Sequence, residues 1–172
     1  MSTPPEAPRR QGPVVIGYDG SPVADRALEE AAGLLAERPA LVVVVWEAGR
    51  AFEAALSPLA FDFAVPSIDL RTAAELDQAA YAAAERTAQQ GAARARSMGL
   101  PAESLVVADD VTVADTLVRV AGEQDAPALV VGAHNHGALS EALLGSTSRD
   151  VVRHAPCPVV VVREIQERNR RS

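Results

Sequence analysis

The sequence predicts an α/β fold: a doubly wound, five-stranded parallel sheet with four main helices covering its two faces. Three observations carry this. Five valine-rich runs recur along the chain, "PVVIGYDG", "ALVVVVWE", "ESLVVAD", "PALVVGAH" and "VVVVRE". They alternate with segments of helical periodicity, which is the pattern of parallel βα units. The second run is apolar on both faces, as expected for a strand buried between two helical layers. A length of 172 residues suits one compact domain.

Residues 1–12, Pro-rich and polar, are expected to be a disordered tail, residues 13–164 a single domain, and residues 165–172 a basic C-terminal tail. The first strand stops at the turn "YDGSP". Ser21 is a good N-cap and Pro22 suits the first helical position. Ala24, Ala27, Leu28, Ala31 and Leu35 then repeat at helical spacing, and Pro39 closes that helix. After the second strand comes an irregular stretch, Ala48 to Pro66, holding Phe52, Phe61 and Phe63. A loop of that length is read either as a satellite cluster on the sheet edge or as a lid or partner surface. A long Ala-rich helix follows, capped by Ser67 or Asp69 and ended near Met98 by Gly99 and Pro101. The third helix runs from Thr112 to Gln124 with Val113, Leu117, Val120 and Ala121 inward. The fourth runs from about Ser146 to His154, before the last strand.

Composition narrows the function. A net charge of −7 argues against general binding of DNA or RNA, whose affinity comes largely from Lys and Arg on phosphates. The longest apolar run, Ala40 to Trp46, is too short to cross a bilayer, so no membrane partner is expected. A single cysteine, Cys157, excludes an internal disulfide and suggests a cytoplasmic setting.

In doubly wound sheets, ligands bind beyond the carboxyl ends of the strands, where the winding reverses. Two loops fall there: "YDGSP" and the stretch from Gly132 to Ser146. Glycine lets a phosphate approach the backbone, and a helix N-terminus adds unpaired N–H groups and partial positive charge. Gly132, Gly145, Ser146 and Thr147 supply these parts, although Ser or Thr after Gly is also ordinary capping. Asp19 can accept from ribose hydroxyls or help hold Mg²⁺, or it can simply close an Asx-turn. There is no Gly-Lys-Ser/Thr and no dinucleotide fingerprint. His134, His136 and His154 lack the spacing of a metal site, and none is expected. A triad drawn from Ser146, His134 and Asp19 lacks the Gly-x-Ser-x-Gly elbow, so no catalytic residues are assigned.

The stretches "VVIGYDGSPVADRALEEA", "LVVVVWE" and "LVVGAHNHGALSEALLGSTSRDVVRHAPCPVVVVRE" resemble the universal stress protein family over nearly all of Pro13 to Glu164. The resemblance implies strand order 3-2-1-4-5. One branch of that family binds ATP or AMP through a loop of Gly, two residues, Gly, nine residues and Gly-Ser/Thr. Carried over, the loop glycines fall on Gly132, Asn135 and Gly145, and the hydroxyl on Ser146. Thr147 would join the phosphate cradle, Asp19 would contact the ribose, and the backbone of Val45 would contact adenine. Two positions depart from the pattern: Asn135 replaces a glycine, and Asp110-Val111-Thr112 replaces Gly-x-Pro. The resemblance also implies a homodimer through the last strand, Pro158 to Arg163.

The expected function is therefore an adenine-nucleotide-binding stress or signalling module acting through an unknown protein partner. The alternatives are a nucleotide-free dimerising member, or a slow ATP hydrolase or autophosphorylating protein using Ser146 or Ser148.

Overall fold

The computed structural model describes residues 10–49, 70–109, 111–133 and 145–163. The expected caps Ser67 and Asp69 lie outside them, as do Phe52, Phe61, Phe63, Asp110, His134, Asn135 and His136. In chain order the elements are β1 (Val14–Gly17), α1 (Pro22–Leu35), β2 (Ala40–Trp46), α2 (Leu70–Ser97), β3 (Ala102–Ala108), α3 (Val113–Glu123), β4 (Leu129–Ala133), α4 (Ser146–His154) and β5 (Val159–Arg163). All strand pairs are parallel, in the order β3-β2-β1-β4-β5. The fold class and strand order are those expected.

Strand alternation sorts the core into two layers. Val14, Ile16 and Tyr18 of the first βα unit face α1 and α2, together with Val42, Val44 and Val130. Val15, Leu41, Val43, Leu129 and Val131 face the other way, against α3 and Val151 of α4. α2 buries only small residues, Ala73, Ala84, Ala88, Gly91, Ala92 and Ala95, so its backbone lies close to the sheet. Gly91 is the closest point. A Cβ there would stand 2.7 Å from the Tyr18 ring and 3.0 Å from Val42. Gly99 takes φ +86 just past the end of α2, the left-handed turn that releases the chain toward β3.

Polar links tie α1 to α2. The Tyr18 hydroxyl donates to Asp25 Oδ1 at 2.7 Å. Arg94 of α2 pairs with Asp25 Oδ2 at 3.0 Å and with Glu29 at 3.4 Å. Near the far end of α2, Trp46 and Tyr81 meet edge to face with ring centroids 5.3 Å apart. The Gly49 N–H donates to Asp77 at 2.8 Å and the Ala48 N–H to Asp109 at 3.2 Å. No helix among the described residues is long and apolar enough to cross a membrane.

Candidate functional site

The winding reverses between β1 and β4. β1 leads toward β2 and β3 on one side, and β4 leads to β5 on the other. A cleft of about 270 Å³ opens at this switch point, beyond the carboxyl ends of the strands. Its floor is apolar: Val43, Val45, Val113, Leu117 and Val131. Its polar lining comes from the turn after β1, with Asp19 and Ser21, and from the start of α4, with Gly145, Ser146 and Thr147. The structure thus brings together Asp19, Val45, Gly132, Gly145, Ser146 and Thr147.

Two of the helices that start at the cleft satisfy their own first turns. Ser21 Oγ accepts from the Ala24 N–H at 3.2 Å, capping α1. Thr112 Oγ accepts from the Asp115 N–H at 3.1 Å and donates to Asp115 Oδ2 at 2.7 Å, capping α3. α4 differs. Its N-cap is Gly145, which has no side chain to offer the first-turn N–H groups. Those of Ser146, Thr147 and Ser148 have no partner within the helix, by the geometry of helix starts. The start of α4 therefore presents donors and a partial positive charge to the cleft.

Val45 contributes its backbone. On β2 the odd positions face β1: the Val14 N–H donates to Pro39 O, and the Tyr18 N–H donates to Val43 O at 2.9 Å. The even positions face β3, as in the Ala40 N–H to Pro101 O bond and the Asp109 N–H to Trp46 O bond. β1 ends at Gly17 while β2 continues to Trp46. The N–H and C=O of Val45 thus point to the β1 side, where the strand that would pair with them has turned away into α1.

Asp19 makes the expected Asx-turn and borders the cleft. Its Oδ1 accepts the Ser21 N–H at 2.9 Å, which is the Asx-turn, and the carboxylate also lies exposed on the cleft rim. It is the one carboxylate of the cleft lining among the described residues. A Mg²⁺ ion bound there would draw its remaining ligands from phosphate and water. Tyr18, immediately before it, is buried, and its phenol is pushed up to about 12 by burial and by the hydrogen bond to Asp25.

Gly132 also has a packing role that was not expected. A side chain there would meet Val23 of α1 at 3.1 to 3.3 Å, so its bare backbone admits α1 as well as bordering the cleft. Its carbonyl accepts from Ser148 Oγ at 3.1 Å. From the sequence, the Ser148 hydroxyl is a phosphorylation candidate only. It is 2% exposed and engaged. No signal in the sequence joins Ser148 to Gly132, although a third consecutive hydroxyl after Gly145 exceeds what capping needs.

His154 lies at the far end of α4, its Nδ1 3.0 Å from the Asp150 carbonyl. Among the described residues, no group of three or more His, Cys, Asp or Glu is placed to hold a metal ion. Burial raises the Cys157 thiol above its ordinary pKa, so it is no activated nucleophile.

Sheet order and helix arrangement place the chain among doubly wound α/β proteins. The sequence model of the universal stress protein family matches residues 12–163, and the chain belongs to that family. A universal stress protein of Thermus aquaticus is 31% identical over 153 residues, 87% of this chain and 97% of that protein. A universal stress protein of Mycobacterium bovis is 31% identical over 157 residues, 90% of this chain; the chain spans only 46% of that relative's length. Among solved structures, the universal stress protein of Archaeoglobus fulgidus in complex with dAMP superposes with a TM-score of 0.59 at 22% identity, over 89% of this chain and 98% of that one. A universal stress protein family member of Arabidopsis thaliana with AMP bound gives 0.60 at 18% identity, over 91% and 94%. These likenesses establish a shared fold.

Proposed function

We propose that this chain is an adenine-nucleotide-binding module of the stress response, taking ATP or AMP in the switch-point cleft and acting through a protein partner as a homodimer. The observation that carries the reading is the pairing, across one cleft, of two backbone sites without partners among the described residues. The uncapped start of α4 offers N–H donors suited to phosphate. The Val45 backbone offers a donor and an acceptor suited to the hydrogen-bonding edge of a base. Asp19, in the same cleft lining, would accept from the ribose hydroxyls, and the valine floor would take the flat face of the purine. The dAMP and AMP complexes of the two structural relatives support the same choice of ligand.

The test is the nucleotide itself. Mass analysis of ligand released from freshly purified protein should find an adenine nucleotide, and calorimetry should show ATP or AMP binding. Gly145→Val should weaken that binding by about 2 kcal/mol or more, because the side chain enters the phosphate space. Gly145 has φ −55, which valine also adopts, so the loss reads on the cleft rather than on backbone strain. Unchanged affinity in a folded Gly145→Val protein would sink the assignment.

A second reading, a nucleotide-free family member, is favoured by Asn135 at a family glycine and by Asp110 beside Asp109. Asn tolerates the left-handed backbone and carries a donor amide, so the loop is expected to work in altered form. Asn135→Gly should then change ATP affinity by less than about tenfold. Strong binding that appears only in Asn135→Gly would favour the second reading instead.

The homodimer is assigned to β5. Pro158 O accepts from the Leu129 N–H, so even positions of β5 face β4. The backbone groups of Val159, Val161 and Arg163 face outward along an open edge, which a second copy related by a two-fold axis would cover.

A further inference from the structure

Gly132 is where three elements meet. Val23, in the first turn of α1, stands so near that a Cβ added to Gly132 would meet it at 3.1 to 3.3 Å. Ser148, in the first turn of α4, donates its hydroxyl to the Gly132 carbonyl at 3.1 Å. β4 ends one residue later, at Ala133. Two of the three helix starts around the cleft, those of α1 and α4, are thus referenced to a single residue of the central sheet. For α1 the reference is one of packing. For α4 it includes a directional bond, made by a side chain that is 2% exposed. The bond spans sixteen residues, from β4 to α4. Ser148 caps nothing in its own helix.

The position of α4 matters at the sub-ångström scale, because charge-assisted N–H···O contacts weaken steeply with distance and angle. Among the described residues, no side-chain cap holds the α4 start. We propose that Ser148 is a positioning residue for phosphate: its hydroxyl latches α4 to the end of β4 and aims the unpaired N–H groups of the first turn at the cleft. This rests on the nucleotide reading above. It makes the hydroxyl a structural donor engaged inside the protein, and not a phosphate acceptor.

The latch should act on the phosphate alone. Affinities for adenosine, AMP and ATP are measured by calorimetry in the wild type and in Ser148→Ala, Ser148→Cys and Ser148→Thr. Ser148→Cys preserves volume with a poor donor, should the smaller side chain fail to fold; Ser148→Thr retains the hydroxyl. In Ser148→Ala and Ser148→Cys the affinity for AMP should fall by roughly threefold to tenfold, the worth of one hydrogen bond. Adenosine affinity should stay within about twofold, and Ser148→Thr should keep the AMP affinity of the wild type. Equal losses for adenosine and AMP would make Ser148 a general stability residue and overturn the proposal. So would full AMP affinity in folded Ser148→Ala or Ser148→Cys, and so would Ser148→Thr losing as much as Ser148→Cys. A wild type that binds adenosine as tightly as AMP, or binds neither, would overturn the phosphate reading itself. That outcome is visible before any variant is made.

Discussion

Gly91 shows two opposed effects whose sizes decide the outcome. In an exposed helix, replacing glycine by alanine gains about 1 kcal/mol. Here the new methyl would sit 2.7 Å from two ring carbons of Tyr18 and 3.0 Å from Val42. Overpacking of that kind costs about 1–3 kcal/mol, so the net effect of Gly91→Ala is a loss. A melting temperature equal to or above the wild type would contradict this. Tyr18 makes a second prediction through its proton. The unfolded phenol ionises near 10 and the folded one near 12. Between those values the folded chain holds more protons than the unfolded chain, so stability falls as pH rises. The contribution is fully present below about pH 10 and is gone above about pH 12. Tyr18→Phe should be less stable by about 1 kcal/mol at neutral pH, having lost the bond to Asp25. Its deficit should shrink between pH 10 and 12 in denaturant titrations; a constant deficit would remove Tyr18 as the titrating group.

At the scale of elements, the three helix starts around the cleft separate stability from binding. Ser21→Ala and Thr112→Ala each remove a cap and should cost about 1 kcal/mol of folding stability. Ser146→Ala removes no cap, because Gly145 holds that position. It should cost less than about 0.5 kcal/mol of stability while weakening phosphate binding by about 1 kcal/mol. If Ser146→Ala destabilised as much as Ser21→Ala, α4 would be capped after all. The contrast also shows what was legible beforehand. The Ser21-Pro22 start, the Thr112 start, the bounds of α4 and the valine runs were readable because their signals lie within a few residues of one another. The strand order came through family likeness, since parallel strands bring together segments far apart in sequence. The Gly132 joint, the Tyr18–Asp25–Arg94 link and the fit of Gly91 to Tyr18 went unread for the same reason. Each joins side chains whose proximity exists only once α1, α2 and α4 have docked on the sheet. A glycine within a 28-residue helix was the one available hint, because mid-helix glycine is costly without a packing reason.

At the scale of the whole molecule, the open edge of β5 sets the assembly test. The Val161 N–H faces outward and the Val160 N–H faces β4. Proline is tolerated on an edge where the missing N–H faced away from the sheet, and it breaks a ladder elsewhere. Val161→Pro should therefore leave a folded monomer. Val160→Pro should destabilise the domain by about 3 kcal/mol. Light scattering that finds Val161→Pro still dimeric would move the interface off this edge.

The chain contains one tryptophan, Trp46, and it directly follows the residue whose backbone faces the cleft. Its indole turns to the opposite face of the sheet and rests edge-on against Tyr81 of α2. A nucleotide bound as proposed would press on the end of β2 from the cleft side, next to this ring. The molecule would then carry its own optical reporter, placed so that emission follows binding without a label. Its signal can be silenced at the contact by Tyr81→Leu, leaving every group that borders the cleft in place.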